Sequence, residues 1–341
     1  MSPLNTIVSS ENYRLNEQKT QDNRRITEME SEDFKAKRIN YLNNWPNVEP
    51  FEIEKKYYFL IEKIKKEEST IFLPFHVAYN QNVTYNKTIS FIIEALDQLE
   101  KYPKFSYEFI FKAYDCFSNE YYNSSNITDK NKKLCDNEWK NAIDSNCALK
   151  EAMDELFCVI PVKACQYLYI RLSDHIEDDK PYKRVTTDIS GSETDLSRKR
   201  KEIIDAIEVK YGADYNNYAE TIRKASLLYR YILKNDSVHI DKNYTITTED
   251  KLDILVSGLL YTLRNDTMHG SSIAITKSSK TTIGTYAIDY YSFLLLYYLL
   301  IILIIKRFPQ DYSINVYEQL ADNILYNIKL FTKIFGKHIE R

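Results

Sequence analysis

The residues with the clearest potential for chemistry lie in the segment Arg264–Gly270, which reads RNDTMHG. A histidine can move a proton at neutral pH, and an arginine can hold a charged phosphate. If both side chains lie near one surface, Arg264 and His269 supply the groups needed to cleave RNA without a metal ion. The adjacent Asn265 adds a polar side chain that can orient either group, or the phosphate, by hydrogen bonding.

The spacing of Arg264 and His269 constrains the backbone between them. Five helical steps place two residues about 140° apart around a straight helix, so the side chains converge only where the helix ends or bends. Gly270 is typical of a helix C-terminus, and we therefore expect the helix to end there and His269 to fold back toward Arg264. The alternative is that Arg264 caps the helix C-terminus, where cations are favoured, and that His269 is an ordinary surface residue.

Two helices are predicted to position this segment. The first begins at Thr247, whose side chain can cap the helix, with Asp250 completing a capping box. Its apolar residues recur at helical spacing and predict a buried stripe of Leu252, Leu255, Leu259 and Leu263, while Ser257, Tyr261 and Arg264 share another face. The second helix follows a short polar loop and is strongly apolar.

This apolar helix covers Ile288–Ile305 and is nearly long enough to cross a bilayer. However, Asp289 and four tyrosines interrupt it, and Lys306 and Arg307 close it. A helix that is apolar on all sides is also typical of the centre of a helical bundle. We therefore predict a buried core helix, and a membrane-associated protein anchored through this segment is the alternative.

The composition favours an all-α protein. The 341 residues include only 6 glycines and 8 prolines, which all-β folds need for their many turns. Hydrophobic residues make up 44% and charged residues 28%, as in globular proteins. The formal net charge of -3 provides no bulk attraction to nucleic acid, so RNA would have to bind a local patch. No strand is recognised in the pattern.

Cysteine usage and the N-terminus indicate a cytoplasmic protein. The five cysteines are odd in number and lack the two-residue spacing of a zinc site, which favours free thiols in a reducing compartment and predicts no metal centre. Residues 1–32 are polar, have no apolar core of a signal peptide, and are predicted to be flexible. No glycine-rich phosphate loop is present, so no cofactor is expected.

The predicted organisation has three parts. A flexible segment, 1–32, precedes a helical domain of unknown role, 33–180, which could be a sensor or regulatory region. Within it, Pro103 is predicted to stop a helix at Thr88–Tyr102, and Pro161 to kink or split one at Trp139–Leu172. Ser173–Ser197 has few large apolar residues and is predicted to be a boundary or long loop. Residues 195–341 then form the domain that carries the Arg264 segment.

Arg264, Asn265 and His269, at the end of one helix and before a buried apolar one, resemble the motif of the HEPN superfamily (higher eukaryotes and prokaryotes nucleotide-binding domain). In its ribonucleases an arginine, often with a polar follower, precedes a histidine by a few residues. The resemblance covers residues 195–341, which would form a C-terminal HEPN-like helical bundle. It implies a metal-independent endoribonuclease that cleaves single-stranded or loop RNA, with transfer RNA among its substrates.

The same resemblance implies roles and partners. His269 would act as general base or acid, Arg264 would stabilise the charge on the phosphate, and Asn265 would orient one of them. Because the chain has one good copy of the motif, it would act as a homodimer with a composite cleft. Family members often serve as toxins or anti-phage defence effectors, which implies an antitoxin or regulatory partner. Ser271 stands where members controlled by nucleotidyltransferase antitoxins carry tyrosine, so that mode of regulation is disfavoured.

Other charged residues are weaker candidates. Lys277 and Lys280 follow the motif in the chain and are predicted to touch RNA. The run Arg198–Lys201 could grip phosphates, but a solvated first helical turn is the favoured interpretation. Arg171 and His175 are one residue too close to match the motif and are interpreted as surface residues. The alternative function is a non-catalytic HEPN-like module that binds a nucleotide, RNA or a protein and does not need His269.

Overall fold

The computed structural model describes residues 33–122, 126–173, 180–212, 218–268, 274 and 277–340. It is an all-α protein, as the composition predicted, with one two-stranded hairpin among the described residues. Contacts divide the chain into two compact units. The smaller unit comprises residues 1–55 and 273–281, and the larger comprises residues 56–272 and 282–341.

The smaller unit is organised around Phe51. Residues 33–44 form the described part of helix α1. The rings of Phe34 and Tyr41, on α1, stack on Phe51 with both pairs of ring centroids 5.3 Å apart. Lys277 belongs to the same unit, and its ammonium group lies 4.6 Å from the ring centroid of Tyr41.

The larger unit contains most of the helices. Two of them contain π-helical segments, here named π1 and π2. In chain order the elements of this unit, beginning with a helix that starts just before it, are α2 (Glu52–Glu68), α3 (Val83–Leu99), α4 (Pro103–Tyr121), α5 (Ile127–Lys133), π1 (Leu134–Trp139), α6 (Lys140–Asp144), α7 (Cys147–Cys158), α8 (Val162–Ser173), α9 (Lys180–Thr186), α10 (Asp195–Tyr211), α11 (Tyr218–Lys234), β1 (Ser237–His239), β2 (Asn243–Thr245), α12 (Thr248–Asp253), π2 (Ile254–Leu260), α13 (Tyr261–Met268), α14 (Ile283–Arg307) and α15 (Val316–Phe335).

Helix α14 forms the core of the larger unit. Residues Ile283–Ile305 are buried with the exception of Thr285, and the helix packs against α4, α8 and α15. Hydrogen bonds join α14 to neighbouring segments. Trp139 Nε1 donates to the Leu299 carbonyl of α14 at 2.8 Å, and Tyr290 Oη of α14 donates to the Ile71 carbonyl at 2.7 Å. By length and composition α14 could cross a membrane, but its most apolar window is entirely buried within the protein. The prediction of a buried core helix is confirmed.

Proline and capping residues place several helix ends as predicted. Helix α7 ends at Cys158 and α8 begins at Val162, on either side of Pro161. Helix α3 ends at Leu99, before Pro103, which occupies the first turn of α4 because its missing N–H has no helical partner to lose there. Thr247 caps α12, and the capping box with Asp250 is present.

Two expectations about local structure are wrong. The segment Ser173–Ser197 is predicted to be a boundary or a long loop, but Lys180–Thr186 forms α9, whose Pro181 and Val185 are buried. The second error is the hairpin of β1 and β2, which pair antiparallel with Val238 opposite Tyr244. Both side chains are buried, so tertiary packing stabilises three-residue strands too short to give a pattern in the sequence.

The larger unit includes residues from both predicted domains, 33–180 and 195–341. Tyr107 Oη, on α4, donates a hydrogen bond to the carbonyl of Leu260 on π2. Lys132, on α5, forms an ion pair with Asp253 on α12. Residues 33–180 therefore contribute directly to the surroundings of the motif helix, and their regulatory role stays a prediction.

Candidate functional site

The motif lies at the C-terminal end of one continuous helical run, α12–π2–α13. Leu252, Leu255 and Leu259 are completely buried as predicted, whereas Leu263 is only half-buried. The run widens to π-helical geometry through Ile254–Leu260, which the residue spacing does not predict. Such segments are frequent at functional sites. The described part of α13 ends at Met268, so His269, Gly270 and Ser271 lie outside the described residues.

Arg264 and Asn265 are brought together by a hydrogen bond. Arg264 Nη1 donates to Asn265 Oδ1 at 3.0 Å, and the guanidinium carbon lies 5.8 Å from the ring centroid of Phe111. Consecutive helix residues point in different directions, so the long Arg264 side chain must bend back to reach the amide. The amide and the ring orient the guanidinium without neutralising it. Arg264 is half-buried, which leaves part of its side chain at the surface.

A small cavity of about 50 Å³ lies beside Arg264. It has room for about one or two water molecules, so a nucleotide cannot enter it. Its lining residues are Tyr107, Glu108, Phe111, Lys112, Asp115, Arg264, Thr267 and Met268. Burial raises the pKa of both Glu108 and Asp115, and the positive charges of Lys130 and Arg264 oppose this shift at Asp115. Because the cavity is too small for a nucleotide, any RNA bound at Arg264 would lie across the surface.

Hydrogen bonds to Asp266 link the last described turn of α13 to α8. Its two carboxylate oxygens accept hydrogen bonds from Tyr167 Oη at 2.6 Å and from Arg171 Nη2 at 3.0 Å. Arg171 was interpreted as a surface residue, but its side chain is only 30% exposed and forms this ion pair. Local patterns do not predict this contact because Arg171 precedes Asp266 by 95 residues.

A second arginine, Arg184 on α9, also contacts the motif helix. Its Nη2 donates to Thr262 Oγ1 at 2.7 Å, and its Nε donates to the Ser257 carbonyl at 3.4 Å. The guanidinium carbon lies 5.0 Å from the ring centroid of Tyr261. Sequence reasoning missed Arg184 because it falls in the segment expected to be a loop.

The two lysines that were weak RNA-binding candidates differ in their surroundings. Lys277 Nζ lies 2.7 Å from Glu54 Oε2, and its ammonium group also faces the ring of Phe51 at 5.0 Å. Because Glu54 is itself buried, this pair ties Lys277 into the smaller unit. Lys280 is exposed. Both lysines belong to the smaller unit, whereas Arg264 belongs to the larger one.

Charged residues at the N-terminal end of the same helical run form a buried cluster. Arg200 is completely buried, and its guanidinium lies 3.0 Å from Asp188 Oδ1 and 3.1 Å from Asp253 Oδ2. Lys132 also pairs with Asp253, and Lys199 with Asp250. The carboxylates of Asp253 and Asp250 outweigh the effect of burial and raise the pKa of Arg200.

The expectation of a solvated turn at Arg198–Lys201 is therefore wrong for Arg200. Arg198, two residues earlier, does fit it, since its side chain is 55% exposed and pairs only with exposed Asp195 among the described residues. Burying Arg200 and Lys132, with half-buried Lys199 beside them, is tolerable because three carboxylates, Asp188, Asp250 and Asp253, accompany them. In the described part of the chain, no group of three or more His, Cys, Asp and Glu side chains is arranged to hold a metal ion.

Comparison of the chain with known protein families, with curated proteins and with solved structures finds no match.

Proposed function

We propose that this protein is an endoribonuclease that cleaves single-stranded or loop RNA, including transfer RNA, without a metal ion. The observation that carries the proposal is the guanidinium of Arg264, oriented by the neutral amide of Asn265 and by the ring of Phe111. His269 follows Met268, the last described residue of α13, by one position. In the sequence, a proton-transfer group thus comes directly after the helix that carries an oriented anion-binding group.

The chemistry requires only these side chains and the RNA. His269 accepts the proton of a ribose 2′-hydroxyl, whose oxygen attacks the adjacent phosphorus, or its protonated form donates to the leaving 5′-oxygen. The bond between phosphorus and the 5′-oxygen breaks, giving a 2′,3′-cyclic phosphate and a 5′-hydroxyl. Arg264 stabilises the negative charge that accumulates on the phosphate oxygens. Asn265 positions the guanidinium through the observed hydrogen bond.

A single His269 cannot be base and acid at the same moment. A homodimer would supply a second copy of the pair, so that one histidine removes the proton while the other protonates the leaving group. A cytoplasmic toxin or anti-phage effector of this kind would need an antitoxin or regulatory partner to restrain it. The homodimer, the toxin or anti-phage role and the restraining partner are proposed from the resemblance of the Arg264–His269 segment to the HEPN motif.

The test is cleavage of transfer RNA and total cellular RNA by purified protein in EDTA, beside the His269→Ala variant. We expect the parent to cut and the variant to lose at least a hundredfold in rate, the typical size of a general acid–base contribution. Product ends should be a cyclic phosphate and a 5′-hydroxyl. Equal cutting by parent and variant would remove His269 from the reaction.

The non-catalytic binding module gives a different result in the same assay. Neither protein would cut, while both would retain the RNA in a binding measurement. That outcome would overturn the nuclease and leave Arg264 as part of a binding surface only.

A further inference from the structure

The outer side of α11 combines cations with large apolar side chains in one stripe, here named the α11 face. Its members recur at helical spacing: Arg223, Leu227, Arg230, Tyr231 and Lys234. They fall within about 100° of one another around the helix and extend for about 16 Å along its axis. Leu227 and Tyr231 are both exposed and are one helical turn apart, so they form a small apolar strip between the cations.

The opposite side of α11 holds this face outward. Residues on that side are buried, and the helix packs through them against α7 and α8: Thr221, Ala225, Ser226, Tyr229, Ile232 and Leu233. A helix fixed along its buried side presents its remaining side chains to solvent. Arg223 and Lys234 are accordingly exposed, and Arg230 is half-buried.

The cations of the α11 face form no ion pair with any residue that the structure describes. Arg223, Arg230 and Lys234 each lack one, and Nε of Arg230 is buried without a hydrogen-bond partner. Burial raises the pKa of the Cys158 thiol, with Glu155 adding to the shift and Lys234 opposing it, so Glu155 is the carboxylate in this neighbourhood. No ion pair joins Glu155 to Lys234.

Other exposed helical cations are paired. Lys224, on α11 itself, lies 2.8 Å from Glu220, which occupies the N-terminal end of the same side of the helix. On α2, Lys63 pairs with Glu67. Pairs four residues apart are the usual arrangement of a solvated helix surface. The α11 face lacks them, so its positive charge is available to an anionic partner.

We infer that the α11 face is a docking surface for single-stranded RNA, where the three cations contact phosphates and Tyr231 stacks on a base. The inference rests on the proposed function for its substrate. Because the formal net charge of the chain is -3, RNA affinity has to come from a local concentration of cations. Cations that track the backbone, combined with an aromatic ring for the bases, are the arrangement that binds single strands of any sequence.

Helix α8 separates the α11 face from the Arg264 site. The ring of Tyr169, on α8, lies 6.5 Å from that of Tyr229 on α11, whereas Tyr167 donates its hydrogen bond to Asp266 on α13. Positions two residues apart on a helix point about 160° away from each other. Helices α11 and α13 therefore contact different sides of α8, so the docking surface should contribute to RNA affinity without taking part in the cleavage step.

The first experiment measures affinity for a short unstructured RNA against salt concentration by fluorescence anisotropy, in EDTA and in the His269→Ala background so that cleavage does not interfere. The double variant Arg223→Gln, Arg230→Gln should reduce the slope of log affinity against log salt by about 1.4, or about 0.7 for each cation lost. The matched control is Lys224→Gln, which removes a paired cation from the same helix and should keep the parent slope. Equal slopes for the double variant and the control would overturn the inference.

Arg223→Gln alone keeps this test decisive if substitution of half-buried Arg230 destabilises the protein. Arg223 is exposed, so its replacement should leave the fold intact, and circular dichroism checks this. We expect the single variant to reduce the slope by about 0.7. A folded Arg223→Gln variant with the parent slope would contradict the docking surface.

Tyr231→Ala tests the stacking contact separately from charge. Tyr231 is 51% exposed, and Tyr218, on the same helix, is 56% exposed. The two positions lie about 140° apart around α11, so Tyr218→Ala is the matched control. We expect Tyr231→Ala to weaken RNA binding at least fivefold with the salt slope unchanged, and Tyr218→Ala to have no effect. Equal affinities would overturn RNA docking, because a surface that recognises charge alone fits an acidic protein instead.

The inference and the proposed function fail in distinguishable ways. In the cleavage assay with His269 intact, the α11 variants should raise KM and leave kcat unchanged. Cleavage by the parent with unchanged KM and salt slope in these variants overturns the docking surface and leaves the nuclease. RNA binding that depends on Arg223 and Tyr231, without cleavage by the parent, overturns the nuclease and leaves the docking surface. Absence of RNA binding by the parent overturns both.

Discussion

Two arginines near opposite ends of the helical run α12–π2–α13 have opposite surroundings: Arg200 belongs to α10, and Arg264 belongs to α13 itself. At the N-terminal end, Arg200 is completely buried against Asp188 and Asp253. At the C-terminal end, Arg264 is half-buried and is oriented by the amide of Asn265 and a phenyl ring. The first arginine forms ion pairs with carboxylates, whereas the second hydrogen bonds to a neutral amide and has the carboxyl of Asp115 only across a small cavity.

This difference separates a structural arginine from one that can bind an anion. A buried guanidinium that faces carboxylates would lose those ion pairs if it turned to a ligand, at a cost of several kcal/mol. A guanidinium held by a neutral amide and a ring keeps its electrostatic attraction for phosphate. The chemistry of the partners, together with exposure, therefore distinguishes the Arg200 site from the Arg264 site.

The largest expected effect on stability is at the buried cluster. Arg200→Gln leaves Asp188 and Asp253 without their guanidinium partner, which we expect to lower the free energy of unfolding by about 3–5 kcal/mol. Urea denaturation monitored by circular dichroism measures it. Arg198→Gln, at the exposed neighbour, should change stability by no more than about 0.5 kcal/mol. Similar small losses in both variants would contradict the structural role of Arg200.

Asp289, on α14, extends the comparison from buried ion pairs to a buried carboxyl group whose pKa is set mainly by burial. Burial raises its pKa to about 7, with Lys104 opposing the shift and Glu108 adding to it. The protonated form is therefore favoured in the folded protein, so its stabilising effect is complete below about pH 4 and is lost as pH rises to about 7. Asp289→Asn should remove this loss.

We expect the Asp289→Asn variant to be more stable than the parent at pH 8 by roughly 2–4 kcal/mol, and about equal to it near pH 4. Urea midpoints measured across this range give the difference. Asp322→Asn, which removes an exposed carboxylate on α15, serves as the control and should show no such pH dependence. A difference between Asp289→Asn and the parent that does not change with pH would contradict the assignment.

Gly258 lies between the two arginine sites, and its substitution has a smaller expected effect. A Cβ at this position would lie 3.2 Å from Leu168 Cδ2 and 3.3 Å from Val185 Cγ2. Gly258→Ala should therefore cost about 1 kcal/mol by overpacking and shift α9, which carries Arg184. Gly284→Ala, whose nearest contact is 3.4 Å, is the matched control in a thermal denaturation experiment. Equal unfolding temperatures for the two variants would show that α8 and α9 yield without cost.

Short-range features were predictable from the sequence. The capping box of Thr247 and Asp250 and the break at Pro161 depend on residues within a few positions of each other. Burial of α14 follows from the apolar residues on all its sides, because any exposed face of this helix would place apolar side chains in water. These properties are local, so the sequence order alone carries them.

The contacts that distinguish the arginines could not be predicted in the same way. Arg198 and Arg200 belong to one run of basic residues, yet only Arg200 meets Asp253, which lies 53 positions later in the chain. Arg184 and Arg171 reach α13 only because α8 and α9 pack beside it. Such pairings depend on tertiary structure, which local charge patterns do not encode.

The central claim is that the charge of Arg264 acts on RNA and does not stabilise the fold. Its most direct test is the cleavage rate of Arg264→Gln on transfer RNA in EDTA, normalised to the folded fraction determined by circular dichroism. We expect at least a hundredfold loss of rate, about 2.7 kcal/mol of transition-state stabilisation, in a variant that remains folded. Cleavage at the parent rate by folded Arg264→Gln would contradict the claim.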